Sequence, residues 1–173
     1  DHDARDAPGR ILSAFDAFLD QVQGLGTKLG CLLVQLPPSL AFDSAVAARF
    51  ASPLRRRYLG PIALEPRHAS WFTPAVDTLL TKFKIARVLA DPVRHPAGAA
   101  PGGWSKTVYL RLHGSPRVYR SAYEDDLLAA LAQRLVQASC DAEQCWCIFD
   151  NTAAGESVGN ARRLACLAGR TRG

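Results

Sequence analysis

"IALEPRHASWF", residues 62–72, is an apolar run that passes directly into charged side chains. Ile62, Ala63 and Leu64 are typical of a strand buried on both faces, as in a parallel sheet covered by helices. Glu65 and Arg67 follow at once, although a protein core excludes unpaired charges. In parallel α/β folds, sites form at the carboxyl ends of the strands. The stretch therefore predicts a parallel sheet whose strand ends carry a polar site.

The same alternation of apolar runs and amphipathic segments extends along the whole chain. It predicts five strands, near 31–36, 62–65, 85–90, 107–112 and 145–150. It predicts helices near 10–23, 43–58, 74–83, 122–139 and 157–168. Apolar strands separated by helices indicate the α/β class, and 173 residues are the length of one domain. We therefore expect a single α/β domain over residues 1–173, with residues 1–9 as a disordered tail.

Composition limits the partners and the compartment that we expect. The net charge of +5 favours an anionic partner, either a small molecule or nucleic acid, although arginines spread over a solvated surface would give the same balance. No apolar run approaches the roughly 20 residues that cross a bilayer, so no contact with a membrane is expected. Five cysteines without a secretory signal indicate a reducing cytoplasm rather than a disulfide framework.

Every predicted strand ends in a side chain that a core does not favour. These residues are Gln35, Glu65 with Arg67 and His68, Asp91, Arg111 with His113, and Asp150 with Asn151. Because residues two apart on a strand share a face, Tyr109, Arg111 and His113 point the same way, and Glu65 and Arg67 also do. We therefore expect the strand ends to converge on one polar site.

The motifs "LGCLLVQLPPSL", "ALEPRHASWF", "ADPVRHP", "YLRLHGSPRVYRSAY" and "WCIFDNTAAGESVGNA" follow one another along the chain. Together they resemble the YecE-like proteins, domain of unknown function family 72, whose biochemical activity is not established. The resemblance implies a TIM-like (β/α) barrel, of which this chain would form the last five βα units. Five strands cannot close an eight-stranded barrel, so we expect an open, curved, incomplete barrel with unpaired edges. The missing strands would come from another segment or chain, and the absence of Met at position 1 is consistent with a fragment.

Acids and histidines at the strand ends suggest hydrolysis. The candidate catalytic residues are Glu65, His68, Asp91, His113 and Asp150. The carboxylates Glu65, Asp91 and Asp150 could hold a divalent metal ion that polarises a phosphoryl oxygen. Arginines would clamp an anionic substrate and aromatic rings would stack on it, so the substrate-binding candidates are Gln35, Arg67, Trp104, Arg111, Tyr119 and Asn151. These residues together favour metal-assisted hydrolysis of a phosphoester.

Four alternatives stay open from the residues alone. Glu65 with Arg111, or Asp91 with Arg67, could form buried ion pairs that only stabilise the fold. The site could instead be a non-catalytic binding module for an anionic ligand or nucleic acid, in which case binding would survive Glu65→Gln. A chain without three of the barrel units could also be inactive. Asn151 has a structural alternative too, because it could cap the helix that follows it.

Overall fold

Parallel strands and helices alternate along residues 7–171, which are the residues that the computed structural model describes. The helices are α1 (Ala7–Val22), α2 (Ser44–Arg57), α3 (Pro74–Lys82), α4 (Asp125–Ala138) and α5 (Glu156–Thr171). The strands are β1 (Leu32–Gln35), β2 (Ile62–Glu65), β3 (Ile85–Arg87), β4 (Leu89–Asp91), β5 (Gly102–Gly103), β6 (Thr107–Leu112) and β7 (Gln144–Phe149). The predicted α/β class is confirmed. No helix within residues 7–171 is both long and apolar enough to cross a membrane.

The amino-terminal boundary differs from the prediction of a tail over residues 1–9. Residues 1–6 lie outside the described residues, so that part of the prediction has no counterpart here. Residues 7–9 begin α1. Pro8 is compatible with this position because the first turn of a helix does not use its backbone N–H groups.

The strands form two sheets instead of the single five-stranded sheet that we expected. In the first sheet β1, β2 and β3 are parallel, and β5 adds an antiparallel edge to β3. In the second sheet β4, β6 and β7 are parallel. Each predicted strand is present, but the third is divided at Val88, whose N–H still binds the carbonyl of Leu64. On the side away from β7, β6 pairs with residues 89–91, whereas Ala86 and Arg87 pair with β5.

The unpredicted strand β5 depends on the glycine at position 103. Gly103 has a φ of +65°, a conformation that L side chains rarely adopt. A Cβ atom there would also come within 2.5 Å of the Ile85 carbonyl oxygen. Two adjacent glycines thus let the loop backbone approach β3 closely enough to pair with it.

Side-chain caps fix the start of the two helices that follow β1 and β2. The carboxylate of Asp43 accepts a 2.8 Å hydrogen bond from Val46 N at the start of α2. The hydroxyl of Thr73 accepts from Val76 N at 3.4 Å at the start of α3, where Pro74 occupies the first helical position. Both helices start nine residues after the strand end that carries polar groups, since β1 ends at Gln35 and α2 starts at Ser44, and β2 ends at Glu65 and α3 starts at Pro74.

Three apolar clusters hold the layers together. One joins the first sheet to α2 and α3, and includes Leu54, Ile62, Leu64 and Leu80. A second joins the second sheet to α4 and α5, and includes Leu89, Leu110, Leu112, Leu128 and Leu164. The third lies on the inner side of both sheets, where Ala63, Ala86, Val88 and Tyr109 meet Trp146 and Ile148. Alternate residues of β2 and β6 thus face inwards, as the sequence pattern predicts.

Candidate functional site

A cleft opens at the carboxyl ends of the strands, as the sequence predicts. It contains a cavity of about 50 Å³, and we call it the mouth cleft. Its polar lining residues are Glu65, Arg67, Arg94, His95, His113 and Tyr119. Phe72, Val93 and Val118 belong to its apolar lining. The cleft therefore combines several cationic or titratable groups with apolar surface.

Arg111 links two of the predicted catalytic carboxylates in what we call the carboxylate bridge, Glu65–Arg111–Asp150. Its Nη1 lies 2.6 Å from Glu65 Oε2, while Nε and Nη2 lie 3.0 Å and 2.6 Å from Asp150 Oδ2. Gln35 Nε2 donates a further hydrogen bond to Glu65 Oε1 at 3.4 Å. Burial alone would lower the pKa of Arg111, but the two carboxylates outweigh it and raise this pKa. The predicted Glu65–Arg111 ion pair is confirmed.

His113 lies between the carboxylate bridge and the mouth cleft. Its Nδ1 is 3.3 Å from Asp150 Oδ2, but this buried nitrogen has no hydrogen bond of good geometry. Burial lowers the pKa of His113, and the positive charge of Arg111 lowers it further. The ring of Tyr119 meets the imidazole edge-on, with the ring centroids 5.6 Å apart. The imidazole is therefore biased towards its neutral form, which can accept a proton.

Asp91 takes part in a separate network and does not pair with Arg67. Its Oδ2 accepts a 2.6 Å hydrogen bond from the hydroxyl of Tyr123. The same hydroxyl oxygen accepts from Gly114 N at 2.8 Å. Tyr123 is 4% exposed, and its backbone N–H donates to Asn160 Oδ1 at 3.0 Å. This network holds the loop after β6 against the end of β4, so the proposed Asp91–Arg67 pair is wrong.

Two predicted site residues stabilise loops and do not line the mouth cleft. Asn151 is fully buried, and its Nδ2 donates to the Ser121 carbonyl at 3.0 Å and to Asn160 Oδ1 at 2.8 Å. His68 Nδ1 lies 2.8 Å from Ser70 Oγ and accepts from Ser70 N at 3.3 Å, which caps a short 3-10 turn. These contacts support a structural role for both residues.

Trp104 lies at the opposite end of the sheet from the mouth cleft. The backbone N–H of Trp104 donates a 2.8 Å hydrogen bond to the carbonyl of Ile85, the first residue of β3. Lys84 Nζ lies 5.8 Å from the centroid of its indole ring. The reason is that β5 is antiparallel and carries the chain back to the amino ends of the parallel strands. The structure therefore does not bring Trp104 to the other candidates.

The mouth cleft also contains two basic residues that are not among the candidates predicted from the sequence. Arg94 and His95 line it, and His95 Nε2 lies 3.4 Å from the Arg67 carbonyl. The His95 and Phe72 rings pack with centroids 5.5 Å apart. The signal was present in the sequence, because "DPVRHP" places two basic groups directly after the end of a strand.

The predicted metal ligands do not form a metal site. Within residues 7–171, no group of three His, Cys, Asp or Glu side chains is arranged to hold an ion. Glu65 and Asp150 share the Arg111 guanidinium, whose positive charge takes the place that a metal ion would need. Asp91 is bound to the Tyr123 hydroxyl instead. The donor set therefore does not fit the divalent ion that the sequence suggested.

Solved structures with the same fold share little sequence with this chain. A DUF72 family protein, EF0366 from Enterococcus faecalis V583, matches with a TM-score of 0.73 and 20% identity, over 91% of this chain and 66% of that one. A DUF72 family protein, TM1631 from Thermotoga maritima MSB8, matches with a TM-score of 0.72 and 22% identity, over 88% of this chain and 63% of that one. The likeness shows a TIM-barrel-like α/β fold, and this chain spans less than two thirds of either protein.

Sequence comparison gives the family directly. A search of curated proteins finds no match. The family model described as "Protein of unknown function DUF72" matches residues 2–173, which is nearly the whole chain. The YecE-like resemblance inferred from the five motifs is the same family. The chain belongs to the DUF72 family of proteins of unknown function.

Proposed function

We propose that the mouth cleft binds a small anionic ligand of the phosphate-ester class. The observation that carries this proposal is the distribution of charge around the cavity. Glu65 already has an ion-pair partner in Arg111, whereas Arg67 and Arg94 make no ion pair with any described side chain. Unpaired guanidiniums beside apolar surface favour a ligand that brings its own negative charge.

Titration of the natural protein with inorganic phosphate and phenyl phosphate tests this proposal by calorimetry. Arg67→Gln and Arg94→Gln should each weaken binding about tenfold, which corresponds to the loss of about 1.4 kcal/mol. Arg49→Gln is the matched control, because Arg49 is an exposed arginine of α2 outside the mouth cleft. Equal affinities for all three variants would contradict the proposal.

A second candidate function is hydrolysis of the bound phosphoester, with His113 as the proton acceptor. It is favoured by the 3.3 Å distance between His113 Nδ1 and Asp150 Oδ2. With its proton on Nδ1, the imidazole would leave Nε2 to accept a proton from water, and the nearby negative charge of Asp150 would favour the imidazolium that forms. Arg67 and Arg94 would then hold the phosphate. Because Glu65 and Asp150 are both held in ion pairs with Arg111, this reaction would rely on the imidazole and the guanidiniums.

Measurements of phosphate affinity and of p-nitrophenol release distinguish hydrolysis from binding alone. If the site is catalytic, His113→Gln should abolish release of p-nitrophenol from bis(p-nitrophenyl) phosphate and leave phosphate affinity within about twofold. If the site only binds, the natural protein should bind phosphate and release no p-nitrophenol. Glu65→Gln would then leave affinity largely unchanged, since Glu65 faces Arg111.

We also propose that the two sheets are part of an incomplete TIM-like barrel, completed by strands from another segment or chain. Two facts support this: β1 and β7 each have one strand partner among the described residues, and the similar solved structures are longer than this chain. Hydrogen exchange of the intact natural protein tests the proposal. The backbone amides on the edges of β1 and β7 that lack a strand partner should exchange slowly. Fast exchange of these amides in both strands would contradict the proposal.

A further inference from the structure

The connection from β4 to β6 has no α-helix, which distinguishes it from its neighbours. Within residues 7–171, α2 follows β1, α3 follows β2 and α4 follows β6, whereas residues 92–106 contain only a 3-10 turn at Pro96–Gly98 and the strand β5. A helix normally covers the outer face of such a strand pair. Here a cavity of about 320 Å³ lies at that position.

Apolar side chains form most of the cavity wall. The strands contribute Leu89, Val108 and Leu110 to its lining, α4 contributes Leu135 and Ala138, and the loop contributes residues 99–101. Leu110 faces away from Arg111, its neighbour on β6, so this cavity and the mouth cleft lie on opposite sides of the second sheet. The volume falls at the lower end of the range of about 300–1,000 Å³ that is usual for small-molecule sites.

Arg134 is the single charged residue in the lining. It is exposed on α4, and it makes no ion pair or hydrogen bond with any described side chain. No Asp or Glu lines the cavity, so nothing there offsets its positive charge. A ligand with an apolar body and one negative group would match both the walls and the charge.

The loop wall of this cavity is held in place by an ion pair whose arginine is buried and whose aspartate is partly exposed. Arg87, which is 4% exposed, donates to both carboxylate oxygens of Asp77, with its Nε 2.9 Å from Oδ1. Arg87 Nη1 also donates to the Ala100 carbonyl at 3.4 Å, and Gly103 N donates to Asp77 Oδ1 at 2.9 Å. The wall is thus anchored on both sides of Pro101. A preformed cavity reduces the ordering that binding requires.

We propose that this cavity binds a small apolar monocarboxylate, with its hydrocarbon body against Leu89, Val108 and Leu110 and its carboxylate at Arg134. The site is independent of the mouth cleft and of any reaction there. An octanoate-sized molecule fits the volume, and its hydrocarbon chain would displace water from apolar walls. The positive charge of Arg134 favours a carboxylate over an alcohol or an amine.

Methyl-resolved nuclear magnetic resonance with octanoate tests the proposal on the full chain. Octanoate should shift the methyl signals of Leu89, Leu110 and Leu135, while octan-1-ol and octylamine should bind more weakly. Arg134→Gln should weaken octanoate binding about three- to fivefold, as expected for an exposed charge pair. Arg162→Gln, at an exposed arginine of α5 outside the cavity, should leave octanoate affinity unchanged.

Two results decide whether octanoate binds in this cavity: the effect of a cavity-filling variant, and the map of methyl signals that shift when octanoate is added. Ala138→Trp should abolish octanoate binding while thermal unfolding shows that the fold persists. If that variant does not fold, the map from the natural protein decides: shifts confined to the cavity lining support the proposal, and shifts elsewhere overturn it. The proposal is also overturned if octanoate does not bind, or if octan-1-ol binds equally well and Arg134→Gln has no effect.

Discussion

Arg111 Nη1 lies 2.6 Å from Glu65 Oε2, and the Glu65 side chain is only 4% exposed. The two residues come from β6 and β2, strands that do not pair with each other. Burying a carboxylate at this depth costs less free energy when a cation lies beside it. The ion pair therefore joins the two sheets across the inner side of the strand ends.

We predict that Arg111→Met destabilises the protein by about 3–5 kcal/mol, because Glu65 is left buried without its partner. The free energy of unfolding in urea is the measurement. The double variant Glu65→Gln with Arg111→Met should recover a large part of the loss, since it no longer buries a lone charge. Arg163→Met is the control: the Arg163–Asp125 pair lies on exposed surface, and stability should hardly change. Equal losses in both single variants would contradict the prediction.

His113 should make stability depend on pH on the acid side of neutrality. Burial, followed by the charge of Arg111, lowers its pKa from the ordinary value of 6.5. The unfolded chain therefore binds the proton more readily, so the stability from neutral His113 is present above pH 6.5 and is lost as pH falls below it. Unfolding free energies between pH 5 and about pH 7.5 measure this effect. His113→Gln should flatten the profile in this range, and an unchanged slope would show that another group is responsible.

The sequence predicts where the site lies better than it predicts which residues meet there. Apolar runs that end in polar groups mark the strand ends, and the two-residue period places Arg111 on the inner face with Tyr109. Both inferences depend on local pattern, and both are confirmed. Trp104 was misplaced because the antiparallel strand β5 reverses the loop, and the pairing of two glycines with β3 has no local signal.

Tyr123 shows why local sequence patterns do not predict contacts between distant segments. Its position before α4 indicates an ordinary core residue, and it does pack in the core. Its hydroxyl also joins Asp91 to Gly114 N, and its backbone binds Asn160. These partners come from the end of β4, the loop after β6 and helix α5, and they meet only in the folded chain. No periodicity in the sequence reports such a meeting.

We predict that Tyr123→Phe destabilises the protein by about 1–3 kcal/mol, because Gly114 N loses its buried acceptor and Asp91 loses a donor. Burial, followed by the hydrogen bond to Asp91, raises the pKa of Tyr123, so its hydroxyl stays protonated throughout the accessible pH range. Tyr119→Phe removes the same atom from a side chain that is 51% exposed and should change stability by less than about 0.5 kcal/mol. Chemical denaturation of both variants makes the comparison. A smaller loss for Tyr123→Phe than for Tyr119→Phe would contradict the network described here.

The five cysteines should divide into two classes of reactivity. Burial raises the pKa of Cys31 to about 11 and that of Cys147 to about 12, which removes the nucleophilic thiolate at neutral pH. Cys140, Cys145 and Cys166 are exposed. Brief treatment of the folded protein with iodoacetamide, followed by peptide mass spectrometry, should therefore modify these three first and leave Cys31 and Cys147 largely unmodified. In urea all five cysteines should react with iodoacetamide at similar rates, because unfolding exposes the thiols of Cys31 and Cys147. Fast modification of Cys147 in the folded state would show that β7 is not packed against the helices as described.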